Sequence, residues 1–156
     1  VAPPTPKSLI PSHLTDETSA ADLKAQAQEA VADAPKPDEK RAMRDASYTF
    51  PFEYVDGAGR RYTGTFTHVI PDLGQRQAIG VLRAKFSGGV LYEALDPFTR
   101  EINMMVADMT VTLEDKDRPE WAVDLRKLKD ADVVYRLWEV VAEHEATFLG
   151  QRAPAT

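Results

Sequence analysis

Between residues 130 and 149 the apolar positions recur with a helical period. Val133, Val134, Leu137, Val140, Val141, His144 and Phe148 project onto one face, and Asp132, Arg136, Glu139 and Glu143 fall opposite. The pattern predicts an amphipathic helix, opened by Asp130 as a cap and closed by Gly150 in a left-handed conformation. A helix of this kind needs a surface to lie against, and the rest of the chain has to supply it.

From Tyr48 the period is two. Tyr48, Phe50, Phe52 and Tyr54 alternate with Thr49, Pro51 and Glu53, which predicts a strand with one aromatic face. Asp56-Gly57-Ala58-Gly59 has turn chemistry, and residues 61–70 alternate again through Tyr62, Phe66, His68 and Ile70. A hairpin that pairs Val55 with Arg61 sets Tyr54 beside Tyr62 and Phe50 beside Phe66, with Gly64 leaving room for the Phe52 ring. Pro51 lacks a donor and predicts an edge strand.

The helical period returns after Pro71-Asp72, with Leu73, Ala78, Ile79, Leu82 and Phe86 expected to face inward and Gly88-Gly89 expected to end the segment. Asp96-Pro97 pairs a cap with a proline at the first helical position and starts another helix carrying Phe98, Ile102, Met105, Met109 and Leu113. Its β-branched end, residues 110–112, is open to a short strand instead. Pro119 begins a short segment with Trp121, Leu125 and Leu128 on one side, feeding the terminal helix. A hairpin followed by three or four helices is an α+β fold, here over residues 47–150, with 151–156 as a tail.

Residues 1–46 are different in kind. Pro3, Pro4, Pro6 and Pro11 lie in a thinly hydrophobic stretch that predicts an extended arm. Residues 19–34 are Ala-rich with Leu23 and Val31 at helical spacing, a marginal helix that Pro35-Lys36-Pro37 stops. The charged run 38–44 reads as a linker or solvated turn. An arm that cannot bury its own apolar residues can bury them on a partner, so Pro3, Pro4, Pro6, Leu9, Ile10, Pro11, Leu14, Leu23 and Val31 are the candidate partner-binding residues.

Composition narrows the function classes. A net charge of −6 and a pI near 5.1 argue against binding along a phosphate backbone. Zero cysteine removes disulfides and thiolate metal ligands, and no apolar run approaches a membrane span. The start at Val1 has no apolar signal core and fits an initiator methionine trimmed before a small residue. Of three histidines, His13 falls in the arm, His68 at a strand end and His144 on an apolar helix face, where a partly buried, hydrogen-bonded ring is expected. Glu143, His144 and Glu145 diverge by about 100° per residue and do not converge on a metal. Gly57-Ala58-Gly59 and Gly88-Gly89 lack phosphate-loop spacing, Ser47 and Ser87 lack a glycine elbow, and Met104, Met105 and Met109 read as core. The acidic pairs read as solvated. No catalytic residue, cofactor or metal site is nominated, and no enzyme is expected.

Taken together, the aromatic hairpin ending in Asp56-Gly57, Leu82-Arg83-Ala84 with Gly88-Gly89, Leu95-Asp96-Pro97, Pro119-Glu120-Trp121 and the closing run 140–148 resemble small structural and morphogenesis proteins of tailed bacteriophages. A hairpin followed by helices also resembles the tail assembly chaperones of that group, while the Pro-rich arm resembles the clamping arms of capsid-associated proteins. The resemblance implies a virion component assembled in the host cytoplasm. Its body would dock on capsid, connector or tail subunits in many copies, without nucleic acid, membrane or small-molecule substrate. The alternatives are a tail assembly chaperone absent from mature particles, or a regulator whose arm folds on one partner.

Overall fold

A computed structural model of the chain describes residues 37–150. The order of elements is helix α1 (Pro37–Ala42), strands β1 (Ser47–Val55) and β2 (Arg61–Val69), then helices α2 (Leu73–Phe86), α3 (Pro97–Thr112) and α4 (Ala131–Gly150). Short 3₁₀ turns at Tyr92–Ala94, Glu120–Ala122 and Leu125–Lys127 fill the connections. The α+β architecture expected from the pattern is the one observed, with the longest helix last.

The hairpin has the anticipated register: Tyr54 is opposite Tyr62, Phe50 opposite Phe66 and Phe52 opposite Gly64. Its turn is closed by Asp56, whose Oδ1 accepts from the N–H groups of Ala58 (2.9 Å) and Arg60 (2.8 Å), with Gly59 taking the left-handed conformation at φ 79°. Two strands alone are marginal in water, so the aromatic face needs a cover. Helix α4 lies against both strands and against α3, and α3 in turn carries α2. The shared core joins Phe50, Phe52 and Phe66 to Met105, Met109, Val133, Leu137 and Val141. Fully burying side chains of this size contributes about 1.5–3 kcal/mol each.

Several local expectations are corrected. The charged run 38–44 is not a linker: it contains α1, Met43 is 3% exposed in the core, and the Ile70 N–H donates to the Ala46 carbonyl at 2.8 Å. The folded body therefore takes in residues 37–46. Gly64 does not make room for Phe52. A Cβ there would stand 2.6 Å from Pro119 Cγ, so the missing side chain admits the loop that carries Trp121. Trp121 then meets the rings of Phe52, Tyr62 and Phe66 at 5.3–5.8 Å, and its Nε1–H donates to the Thr63 carbonyl. Leu73, Ala78 and Phe98 face solvent rather than the core, with Leu73 81% and Phe98 55% exposed.

Residues 110–112 are helical, and the Thr110 and Thr112 hydroxyls donate to the carbonyls of Val106 and Asp108, four residues back, rather than leaving the helix for a strand. Only Leu113 beyond them turns extended, and it bridges antiparallel to His68 on the free edge of β2. Among the described residues strand β1 pairs with β2 alone, the edge position Pro51 requires. Asp130 opens α4 by accepting from the Asp132 N–H, but Gly150 ends it without a left-handed φ. Leu125 is buried, and Trp121 and Leu128 are half-buried, along two 3₁₀ turns.

Candidate functional site

Strand β2 and helix α4 bring together two histidines that are 76 residues apart in sequence. His68 Nδ1 and His144 Nδ1 are 2.6 Å apart, both rings are fully buried, and His144 Nε2 lies 2.7 Å from the Asp45 carbonyl. A carbonyl only accepts, so His144 Nε2 carries its hydrogen and neutral His144 offers a lone pair at Nδ1. His68 Nδ1–H donates to it. The proton pattern of both rings follows, and His68 Nε2 is left as a buried acceptor without a partner. Burial, with the neighbouring His144 adding to it, pushes the His68 pKa down to about 3, so the ring stays neutral across the physiological range. The tilted Tyr48 ring, 5.4 Å from His144, closes the site from β1. His144 was expected to be partly buried and bonded; it is wholly buried, and its partner was not foreseen. Sealed in this way, the pair ties the α1–β1 junction, β2 and α4 into one unit.

A second polar cluster lies where α2 meets α3 and α4. Asp108 on α3 is 6% exposed, and burial raises its carboxyl to about pKa 6, with Glu145 adding to the rise. The Thr112 hydroxyl, 3.3 Å from Oδ1, and the guanidinium groups of Arg83 and Arg76 oppose the shift. Arg76 pairs with Glu145 at 2.7 Å, and the Arg83 Nε is buried without a hydrogen-bond partner. Arg76, Arg83 and Asp108 border a hollow of about 210 Å³. Helix α2 buries Ile79 and packs Phe86 against the core, and this cluster adds a polar contact to that hold. Asp56, in the hairpin turn, is buried as well. Hydrogen bonds from Arg60 and Ala58, with a further one from the Tyr62 hydroxyl at 3.2 Å, hold the Asp56 carboxyl below its ordinary pKa.

The outer surface is where the body offers apolar contact. Leu73 and Val81 on α2 are 81% and 69% exposed, and the outward side of that helix between them carries Gln77 and Gly80 and no charge. Beyond α2, Leu91 and Tyr92 are also exposed. A ridge at residues 125–129, Leu-Arg-Lys-Leu-Lys, separates two hollows. One, of about 720 Å³, is bordered by Trp121, Val123 and Leu128 with Glu120, Asp124 and Lys127. The other, of about 230 Å³, is floored by Phe98, Ile102, Leu125 and Val134 and rimmed by Arg126 and Lys129. The sequence signal for this ridge was three cations within five residues of an acidic chain.

Among the described residues no three His, Asp or Glu side chains gather as metal ligands, and no helix is long and apolar enough to cross a membrane. The candidate partner-binding residues Pro3, Pro4, Pro6, Leu9, Ile10, Pro11, Leu14, Leu23 and Val31, and also His13, lie outside the described residues. No protein-family model, curated protein or solved structure matches the chain. Function is therefore argued from the chain's own residues and surfaces.

Proposed function

We propose that this chain is a non-enzymatic structural component of a tailed-bacteriophage particle. Its body, residues 37–150, docks on a larger assembly, and its N-terminal segment clamps neighbouring subunits. The observation that carries the docking role is the distribution of side chains. His68 and His144 are sealed in the interior, while Leu73, Val81, Leu91 and Val123 are each more than 65% exposed. Apolar surface of this kind contributes free energy when it is covered by a partner. The phage setting rests on the resemblance of the hairpin, caps and closing helix described above. Many copies on a repeating lattice help a weakly self-folding segment to bind through effective concentration.

The test is incorporation. A chain lacking residues 2–36 keeps Met43 and the Asp45 carbonyl, so its body retains the contacts described here. It is expected to fold and to be missing from purified particles. Normal incorporation of the truncated chain would refute the clamp. A second reading, a tail assembly chaperone, is favoured by the uncharged outer side of α2, which suits a transient apolar helix. Under that reading the full chain is bound to a tail protein during assembly and is absent from finished particles.

A further inference from the structure

We propose that the ridge at residues 125–129 is the docking site for residues 9–23 of a second copy of this chain. This rests on the reading of the N-terminal segment as a clamp and specifies where it binds. Arg126, Lys127 and Lys129 are exposed, and none forms an ion pair with a carboxylate of the described residues. Two carboxylates beside the ridge are engaged by backbone groups: Asp124 accepts from the Arg126 N–H and Asp130 from the Asp132 N–H. Glu120, in the larger hollow, is a third. The crest is thus cationic in a chain of net charge −6.

The cationic surface continues past the ridge. The Arg126 guanidinium lies 4.4 Å from the centre of the Phe86 ring, which joins the ridge to the last turn of α2. Lys85 is exposed on that turn, and α2 contains no acidic residue. Hollows flank the crest on both sides, one with Trp121 and Val123 beside charged Glu120, Asp124 and Lys127, the other with Phe98 and Ile102.

The proposed occupant has the complementary chemistry. Between Lys7 and Lys24 the sequence contains no lysine or arginine, carries Asp16, Glu17 and Asp22, and places Leu9, Ile10, Leu14 and Leu23 among them. Residues 24–36 form a connection of 13 residues. Fully extended it reaches about 43 Å, enough to cross to an adjacent molecule of this size. Leucine and isoleucine side chains would fill the hollows, and the carboxylates would meet the crest. Such pairing sets register and association rate and is screened by salt.

Sedimentation equilibrium of the full chain, at low and at physiological salt, reads the proposal directly. The wild-type chain is expected to self-associate, less tightly at higher salt. Lys127→Glu with Lys129→Glu should weaken association about tenfold, and so should Asp16→Lys with Glu17→Lys. Combining all four should restore it. Lys127 and Lys129 are exposed, so the circular dichroism of the ridge variant should be unchanged. A chain that stays monomeric at about 1 mM, or a ridge variant that associates as tightly as wild type, overturns the proposal. The clamp itself is judged separately by particle incorporation. If incorporation needs residues 2–36 while the chain never self-associates, the clamp survives and this docking site falls.

Discussion

Lowering the pH should destabilise the folded body through one buried ring, and the size of the effect follows from the His68 geometry. An unfolded histidine titrates near pKa 6.5, whereas folded His68 takes its proton only at about pH 3. Below pH 6.5 the unfolded chain therefore binds a proton that the native chain does not. Stability rises with pH over this window and is lost as pH falls. At pH 4.5 unfolded His68 is almost fully protonated and native His68 is still neutral, so the loss relative to pH 7.5 is about 2.7 kcal/mol. Against a typical total of about 5–15 kcal/mol this is a large fraction. The variant to compare is His68→Asn. Its amide nitrogen sits where Nδ1 does and can still donate to His144 Nδ1, but it does not titrate. Its lost ring volume lowers stability at every pH by a constant amount. Urea unfolding followed by circular dichroism, repeated from pH 7.5 to 4.5, gives both curves, and groups remote from the substitution, such as Asp108, cancel in their difference. The wild-type advantage should shrink by about 2.7 kcal/mol over that range. Parallel curves would refute the tautomer and burial argument together.

Other substitutions test neighbouring parts of the structure. Asp108→Asn removes a carboxyl whose folded pKa is raised to about 6, a group that favours the fold when protonated and opposes it as pH rises from 3.8. The variant should therefore gain stability relative to wild type at pH 8 compared with pH 4, read as a shift in melting temperature between the two buffers. Gly64→Ala would drive a methyl to 2.6 Å from Pro119 Cγ and should cost about 1–3 kcal/mol, with a change in Trp121 fluorescence as its loop is displaced. Asp56→Ala leaves the Ala58 and Arg60 N–H groups and the Tyr62 hydroxyl without their acceptor, and chemical denaturation should show a lower unfolding midpoint than wild type. Limited proteolysis should leave a resistant fragment that begins near residue 37, because Met43 is in the core and the Asp45 carbonyl holds His144. A fragment beginning at residue 47 would contradict that assignment.

What could be read from the sequence was whatever a local period records. The hairpin register follows from aromatic alternation and a turn whose aspartate bonds its own backbone, so Phe50–Phe66 and Tyr54–Tyr62 fall into place without tertiary knowledge. The buried face of α4 follows in the same way from a 3.6-residue repeat. Contacts between distant segments carry no such repeat. His68 and His144 each sit where a period permits burial, but their pairing depends on the crossing of β2 by α4. The role of Gly64 depends on Pro119, 55 positions later, and was misassigned for that reason. Helix α2 misled because its apolar residues lie on two sides: Ile79 reaches the core, while Leu73 and Val81 point outward. Helix α1, six residues with Asp, Glu, Lys and Arg, has no period long enough to read. It is held by Met43, a single apolar residue at its end.

The ridge 125–129 was visible as composition and invisible as a site. Its three cations become informative only once the structure turns Asp124 and Asp130 onto backbone groups and sets hollows on both sides.

The central claim is that this chain is a lasting part of a phage particle, and quantitative mass spectrometry of particles purified from a producing culture tests it most directly. The account predicts the chain in washed particles at a fixed ratio to the major subunits, with residues 2–36 required for its presence. Its absence from washed particles, while it remains abundant in the lysate, would contradict the claim and turn attention to the chaperone reading.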